Sequence, residues 1–238
     1  MTMMRLNKFI AHAGVCSRRK AAELVKAGLI KVNDKIEKNP AIEIGTTDKV
    51  EYQGKALKPV FKRIYLLLNK PKNVITTMED DRGRKTVWDV VESKVKTKVY
   101  PVGRLDRNTT GLILMTNDGE LAHNLSHPST KVKKIYQVVL NKPLEEKDIN
   151  AISEGLTLDD GIAEVDEISY IQELPQTHIG IQLHSGKNRI IRRIFESLNY
   201  QVVTLDRVYF AGLTKKDLPR GWSRHLRRKE IIMLKHFT

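Results

Sequence analysis

The chain has 238 residues, 40% of them hydrophobic, and its 42 lysines and arginines against 28 aspartates and glutamates give a formal charge of +14. That length holds one large domain or two unequal ones, and the charge points to a polyanionic partner, nucleic acid first. The single cysteine, Cys16, excludes an internal disulfide and a cysteine-rich zinc site.

The positive charge gathers at the two ends. Residues 1–60 carry 12 basic and 6 acidic side chains, residues 187–238 carry 13 and 4, and the middle is nearly balanced. The opening "MTMMRLNKFIAHAG" lacks a continuous apolar core of signal-peptide length. No stretch reaches the roughly 18 apolar residues of a membrane span. No membrane partner and a cytoplasmic location are therefore expected.

In chain order, Leu6, Phe9, Ile10 and Ala13 fall at helical spacing, with Gly14 as the stop. Ser17 is positioned to cap a second helix whose Ala21, Leu24 and Val25 form its apolar stripe, ending at Gly28. Short strands and turns follow through residue 53. Arg5, Lys8, Arg18, Arg19 and Lys20 lie on the outer faces of the two helices. "GKALKPVFKR" (54–63) has no clear periodicity and reads as a linker.

From residue 64 the pattern mixes strands and helices. "IYLLLNKP" is a buried strand stopped by Pro71, "TVWDVVESK" a short helix, "GLILMTND" a strand and "GELAHNLSHP" a helix ended by Pro128. "KKIYQVVL" is a strand, "LEEKDINAISEGL" a helix, and "DEISYIQEL" with "THIGIQLHSG" a strand pair. A helix over 187–200 and the strand "QVVTLDRVYF" complete the series. No glycine fingerprint of a dinucleotide fold occurs. The fold class read from this is α+β: a helix–helix–hairpin module over 3–53, a linker over 54–63, and a mainly antiparallel sheet flanked by helices over 64–238.

Within "PVGRLDRNTTGLILMTNDGELA", Asp106 stands between Arg104 and Arg107. By itself this is a surface ion pair, a turn, or a carboxylate kept ionised to react. The helix over 187–200 presents Arg189, Arg192, Arg193 and Glu196 on one stripe, with Arg192–Glu196 or Arg193–Glu196 pairs as its simplest use. His123 and His127 share a helix without matching ligands elsewhere, so no metal site is expected.

Taken together and in order, "GRLDRNTTGL", "KKIY" and "GKNRIIRRIFE" resemble the bacterial RsuA/RluB-type ribosomal RNA pseudouridine synthases. "YLLLNKPKNVITTMEDDRGRKTVWDVV" and "NDGELAHNLSHPS" strengthen the resemblance. Residues 3–52 resemble the alpha-L RNA-binding module. The resemblance implies a uridine-to-pseudouridine isomerisation that needs no cofactor. It implies Asp106 as the catalytic carboxylate, Arg192 as its guanidinium partner and Tyr136 as a platform for the uracil. Arg104 would serve a phosphate or the space left by a flipped base, and Leu205 would pack on the pocket's other side. Arg189 and Arg193, with Arg5, Lys8, Arg18 and Arg19 of the module, would bind substrate. Family members usually carry Gln or Glu where this chain has Ile190. The expected partner is ribosomal RNA, more specifically large-subunit RNA, or a ribosomal-subunit assembly intermediate, bound by a monomer, with no DNA partner. A small-subunit target is the runner-up, and a non-catalytic ribosome-assembly factor on the same fold is the alternative of a different class.

Overall fold

The computed structural model describes residues 3–59 and 62–237, so positions 60 and 61 of the expected linker lie outside the described residues. The chain packs as two compact units, Met1–Arg63 and Ile64–Thr238. Among the described residues no helix is long and apolar enough to cross a membrane.

In the first unit, strand β1 (Met4–Arg5) leads into α1 (Leu6–His12) and α2 (Arg18–Lys26). Ser17 Oγ accepts the Lys20 amide at 3.3 Å, satisfying one of the free N–H groups at the start of α2. Strands β2 (Ile30–Val32), β3 (Lys35–Glu37), β4 (Glu43–Ile44), β5 (Val50–Tyr52) and β6 (Lys55–Ala56) follow. Asn33 and Asp34 both take positive φ, 52° and 64°, the backbone that closes a two-residue hairpin between β2 and β3. The unit is larger than two helices and a hairpin. A four-stranded sheet runs β3-β2-β5-β6, and β1 pairs with β4. Lys55–Ala56, inside the expected linker, is the edge strand β6 of that sheet. Leu6, Phe9, Ile10, Ala21, Val25, Ile30, Ile44 and Val50 form the core, leaving Arg5, Lys8, Arg18 and Arg19 exposed.

The second unit contains, in order, β7 (Tyr65–Lys70), α3 (Val87–Val91), β8 (Tyr100–Pro101), β9 (Thr110–Thr116), α4 (Gly119–Ser126) and β10 (Lys134–Leu140). Then come α5 (Glu146–Glu154), β11 (Leu156–Leu158), β12 (Gly161–Ala163), β13 (Glu167–Tyr170), β14 (His178–Leu183) and α6 (Ile190–Ser197). The last elements are β15 (Val202–Phe210), β16 (Leu213–Thr214), β17 (Ser223–His225) and α7 (Arg228–Lys235). The main sheet runs β13-β14-β10-β15-β9-β7-β17, antiparallel except for β15 against β9.

Both faces of this sheet are covered. Leu66, Leu68, Ile113 and Met115 face one core with Phe195 of α6, while Tyr65, Leu67, Leu112 and Leu114 face another with Leu121 of α4 and Leu234 of α7. Burial on both sides is why β7 and β9 are continuous apolar runs and do not alternate. At the parallel junction Arg207 pairs with Gly111. Gly111 has φ +107°, and a Cβ there would overlap the Arg207 backbone. Glycine is required where these two strands close on each other.

Candidate active site

Asp106 lies on the loop between β8 and β9, and that loop is held from below at the residues on either side of it. Thr76 Oγ1 donates to the Leu105 carbonyl at 2.7 Å and accepts the Leu105 amide at 3.2 Å. On the other side, the Arg107 carbonyl accepts from the Asn73 amide at 2.9 Å and from Lys70 Nζ at 3.3 Å. Lys70 also donates to the Val74 and Pro71 carbonyls, at 2.7 and 3.1 Å. Thr109 N–H closes the turn on the Asp106 carbonyl at 3.1 Å. The carboxylate is thereby set by backbone anchors two residues apart, itself only partly covered.

Above this loop opens a cavity of about 680 Å³ within the second unit. Asp106, Arg104, Tyr136, Arg189 and Leu205 all line it, although they come from a loop, two strands and the residue before α6. Register explains part of the gathering. On β10 and β15, Tyr136 stands opposite Arg207 and Val138 opposite Leu205, so Leu205 sits two residues along its strand from the partner of Tyr136. Tyr136 is largely buried, with 8% of its surface exposed. Ile190, at the position where members of the resembled family usually carry Gln or Glu, is buried at the cavity wall.

Burial perturbs several cations in and around the cavity, of which Lys134 lines its wall. Lys70 is completely buried, and burial pushes its ammonium down to about 8, opposed by the negative charge of Asp106 and assisted by Arg220. Lys134 is likewise pushed to about 8 by burial and by Arg207, with Asp166 opposing. It is anchored by the His184 carbonyl at 2.6 Å. Arg192 is lowered first by burial, then by Arg189, while Asp106 and Glu196 act the other way.

Several expected contacts are arranged differently. Among the described residues no lysine or arginine nitrogen lies within 4.0 Å of the Asp106 carboxylate, so neither Arg104 and Arg107 beside it nor Arg192 forms an ion pair with it here. Arg104 and Arg107 are exposed. Arg192 is half-buried, donates to the Val202 carbonyl at 2.9 Å, and reaches Asp106 through its field alone. Arg193, expected to bind substrate, is held by Asp160 through two bonds of 2.8 and 2.9 Å and donates to the Asn188 carbonyl. A guanidinium so committed is a strut between α6 and the β11–β12 turn. Glu196 pairs with Arg189 at 3.2 Å and not with Arg192 or Arg193. The helix begins only at Ile190, after Arg189 in a left-handed conformation (φ +48°), and this turns Arg189 off the helical stripe.

Sequence reasoning passed over Thr76 and Arg207, which line the cavity, and Lys70, which holds the Asp106 loop through the Arg107 carbonyl. Lys70 had a signal: a lysine ending a strand that opens on the apolar run Tyr65–Leu68 must find partners for its charge. Thr76 and Arg207 had none, since their roles depend on chain segments 29 and 95 residues away.

Comparison with known proteins places these features in a family. The model described as RNA pseudouridylate synthase matches residues 64–197, and the S4 domain model matches residues 4–50. The chain is 36% identical to "Ribosomal large subunit pseudouridine synthase B" of Bacillus subtilis (strain 168), over 98% of this chain and 96% of that protein. It is 35% identical to an "Uncharacterized RNA pseudouridine synthase" of Aquifex aeolicus (strain VF5), over 98% of this chain and 94% of that protein. A solved structure titled "Crystal structure of pseudouridylate synthase" superposes with a TM-score of 0.69 at 27% identity, covering 97% of this chain and 99% of that one.

Proposed function

The chain belongs to the RNA pseudouridylate synthase family and carries an S4 domain, and on that premise we propose that it isomerises a uridine of large-subunit ribosomal RNA with Asp106 as the reacting carboxylate. The observation that carries this reading is the convergence of Asp106, Tyr136 and Leu205 on one cavity large enough for a nucleoside.

The reaction breaks the N1–C1′ bond, turns the uracil and joins C5 to C1′. Atoms are conserved and nothing is oxidised, so no hydride carrier is required. The target uridine must first leave its stack, at a cost of a few kcal/mol. The exposed cations of both units, Arg104 and Arg189 at the cavity and Arg5, Lys8, Arg18 and Arg19 on the S4 module, offset that cost through contacts to phosphates. Once extruded, the base is held by the Tyr136 ring on one side and Leu205 on the other. Asp106 then attacks C1′ or removes the C2′ proton to give a glycal. Either role needs the ionised carboxylate and a fixed position, and the anchoring of its loop by Thr76, Asn73 and Lys70 supports that.

In this reading residues 3–53 dock on RNA structure, 54–63 join the units, with β6 still part of the first, and 64–238 perform the chemistry. The same reading has the protein act as a monomer, in the cytoplasm where ribosomal RNA and its assembly intermediates are found.

The test is tritium release from ribosomal RNA labelled at uracil C5, with wild type and Asp106→Asn side by side. Release by the wild type alone, with RNA affinity changed less than about threefold in the variant, is the expected result. Release by both refutes the role of Asp106. Release by neither, on naked RNA and on immature subunits, refutes the enzyme reading and leaves the assembly factor.

A further inference from the structure

The guanidinium of Arg207 has no work in the mechanism so far. It is 3% exposed, at the wall of the cavity that holds Asp106 and Tyr136. Its Nε donates to the Leu112 carbonyl at 2.7 Å, and its Cζ lies 4.6 Å from the centre of the Phe210 ring. These contacts fix the plane of the group and leave most of its five donors uncommitted. Nη2 is buried with no hydrogen-bond partner, and among the described residues no carboxylate lies within ion-pair distance of it.

Burying an unpaired cationic donor is costly, and a protein retains one where something else will complete it. The neighbouring cations show the contrast. Lys70 is met by three carbonyls, Lys134 by the His184 carbonyl and Arg192 by the Val202 carbonyl. Arg207 alone of this group has a buried donor left over, directly across the β10–β15 pairing from Tyr136.

The reaction proposed above supplies the missing partner, on which this inference rests. When the N1–C1′ bond breaks, its electron pair stays with the base and uracil departs as an anion, its charge spread over N1, O2 and O4. In the same phase Asp106 loses its charge, by forming an ester bond to C1′ or by taking the C2′ proton. One negative charge therefore moves from the carboxylate to the base. It returns when C5 bonds to C1′ and the Asp106 oxygen bond, or the transferred proton, is given back. Finally the C5 proton leaves and N1 gains one.

We propose that Arg207 is a catalytic residue, donating an ionic hydrogen bond to a carbonyl oxygen of the flipped uracil and stabilising the anionic base between departure and reattachment. It transfers no proton, since a guanidinium stays charged throughout. It acts as a pre-oriented donor aimed at charge that develops only after the bond breaks. A purely structural role, tying β15 to β9 through Leu112, is the competing account.

The two separate by leaving-group dependence. Large-subunit ribosomal RNA transcripts are made with uridine or with 5-fluorouridine throughout, and single-turnover loss of the original nucleoside is followed after nuclease digestion. Fluorine withdraws electron density and steadies the departing anion, so a site lacking Arg207 is less penalised on it. Arg207→Gln is expected to slow uridine loss about 100-fold, with KM within about threefold of wild type, and to slow fluorouridine loss about 10-fold or less. Arg207→Lys, which keeps the charge and most of the stem over Phe210, recovers part of the rate and carries the same comparison should the Gln variant fail to fold. Equal slowing on both substrates overturns the inference while leaving the enzyme reading intact. An inactive wild type overturns both.

Discussion

Replacing Thr76 by valine changes the shape of the side chain almost not at all and removes both of its bonds to Leu105, the residue before Asp106. Two effects follow. The Leu105 N–H and C=O lose their partner in a partly buried setting, at a net cost of about 1 kcal/mol each and about 2 kcal/mol together. The Asp106 loop also loses its anchor on one side and keeps only the Arg107 carbonyl bonds to Asn73 and Lys70 on the other. If the freed loop holds the reactive geometry less often by the same free energy, the chemical step slows by roughly 30-fold. Urea unfolding reads the first effect and single-turnover isomerisation the second, while filter binding should show unchanged RNA affinity because Thr76 carries no charge. Thr76→Ser retains the hydroxyl and should recover most of the loss. A Thr76→Val protein with wild-type turnover would refute the idea that this anchor positions the carboxylate, whatever its stability.

Lys70 sets a pH dependence. Its ammonium is held at about 8 in the folded protein, against an unfolded value near 10.5. Between those values the unfolded chain binds more protons, so stability contributed through this residue rises as pH increases from about 8 to 10.5. Urea midpoints of wild type and Lys70→Met over pH 7 to 10 should move in the wild type's favour as pH rises, and a constant difference would contradict the burial of this charge. Combined substitution of Lys8, Arg18 and Arg19 by alanine should flatten the dependence of log K on log salt by about 2 to 3 units if each meets one phosphate, with single-turnover rates at saturating enzyme unchanged. An unaltered slope would remove the S4 module from RNA docking.

Much of this molecule is local in origin. The Ser17 cap, the stop at Gly28 and the Asn33–Asp34 turn use residue types whose own conformational preferences select those structures. The uninterrupted apolar runs of β7 and β9 announce strands covered on both faces. Asp106 and Tyr136 were legible because they sit in short characteristic segments, and the cavity brings them together. The β11–β12 hairpin, β17 and α7 were not marked by clear periodicity. β11, β12 and β17 are only three residues each, and α7 packs through Ile231 and Leu234 amid charged neighbours.

What the tertiary structure alone decided is the use of each charge. Arg189, Arg192 and Arg193 look alike in the string "NRIIRR". One is bent off the helix to the cavity, one reaches a backbone carbonyl, and one is locked to Asp160. Lys70 and Arg207 are both buried cations on strands, yet one is satisfied by three carbonyls and the other keeps a buried donor without a partner. A sequence states which groups carry charge and roughly on which element. Whether a charge is neutralised, spent on structure or left for a substrate depends on partners brought from distant parts of the chain, and those exist only once the sheet has closed.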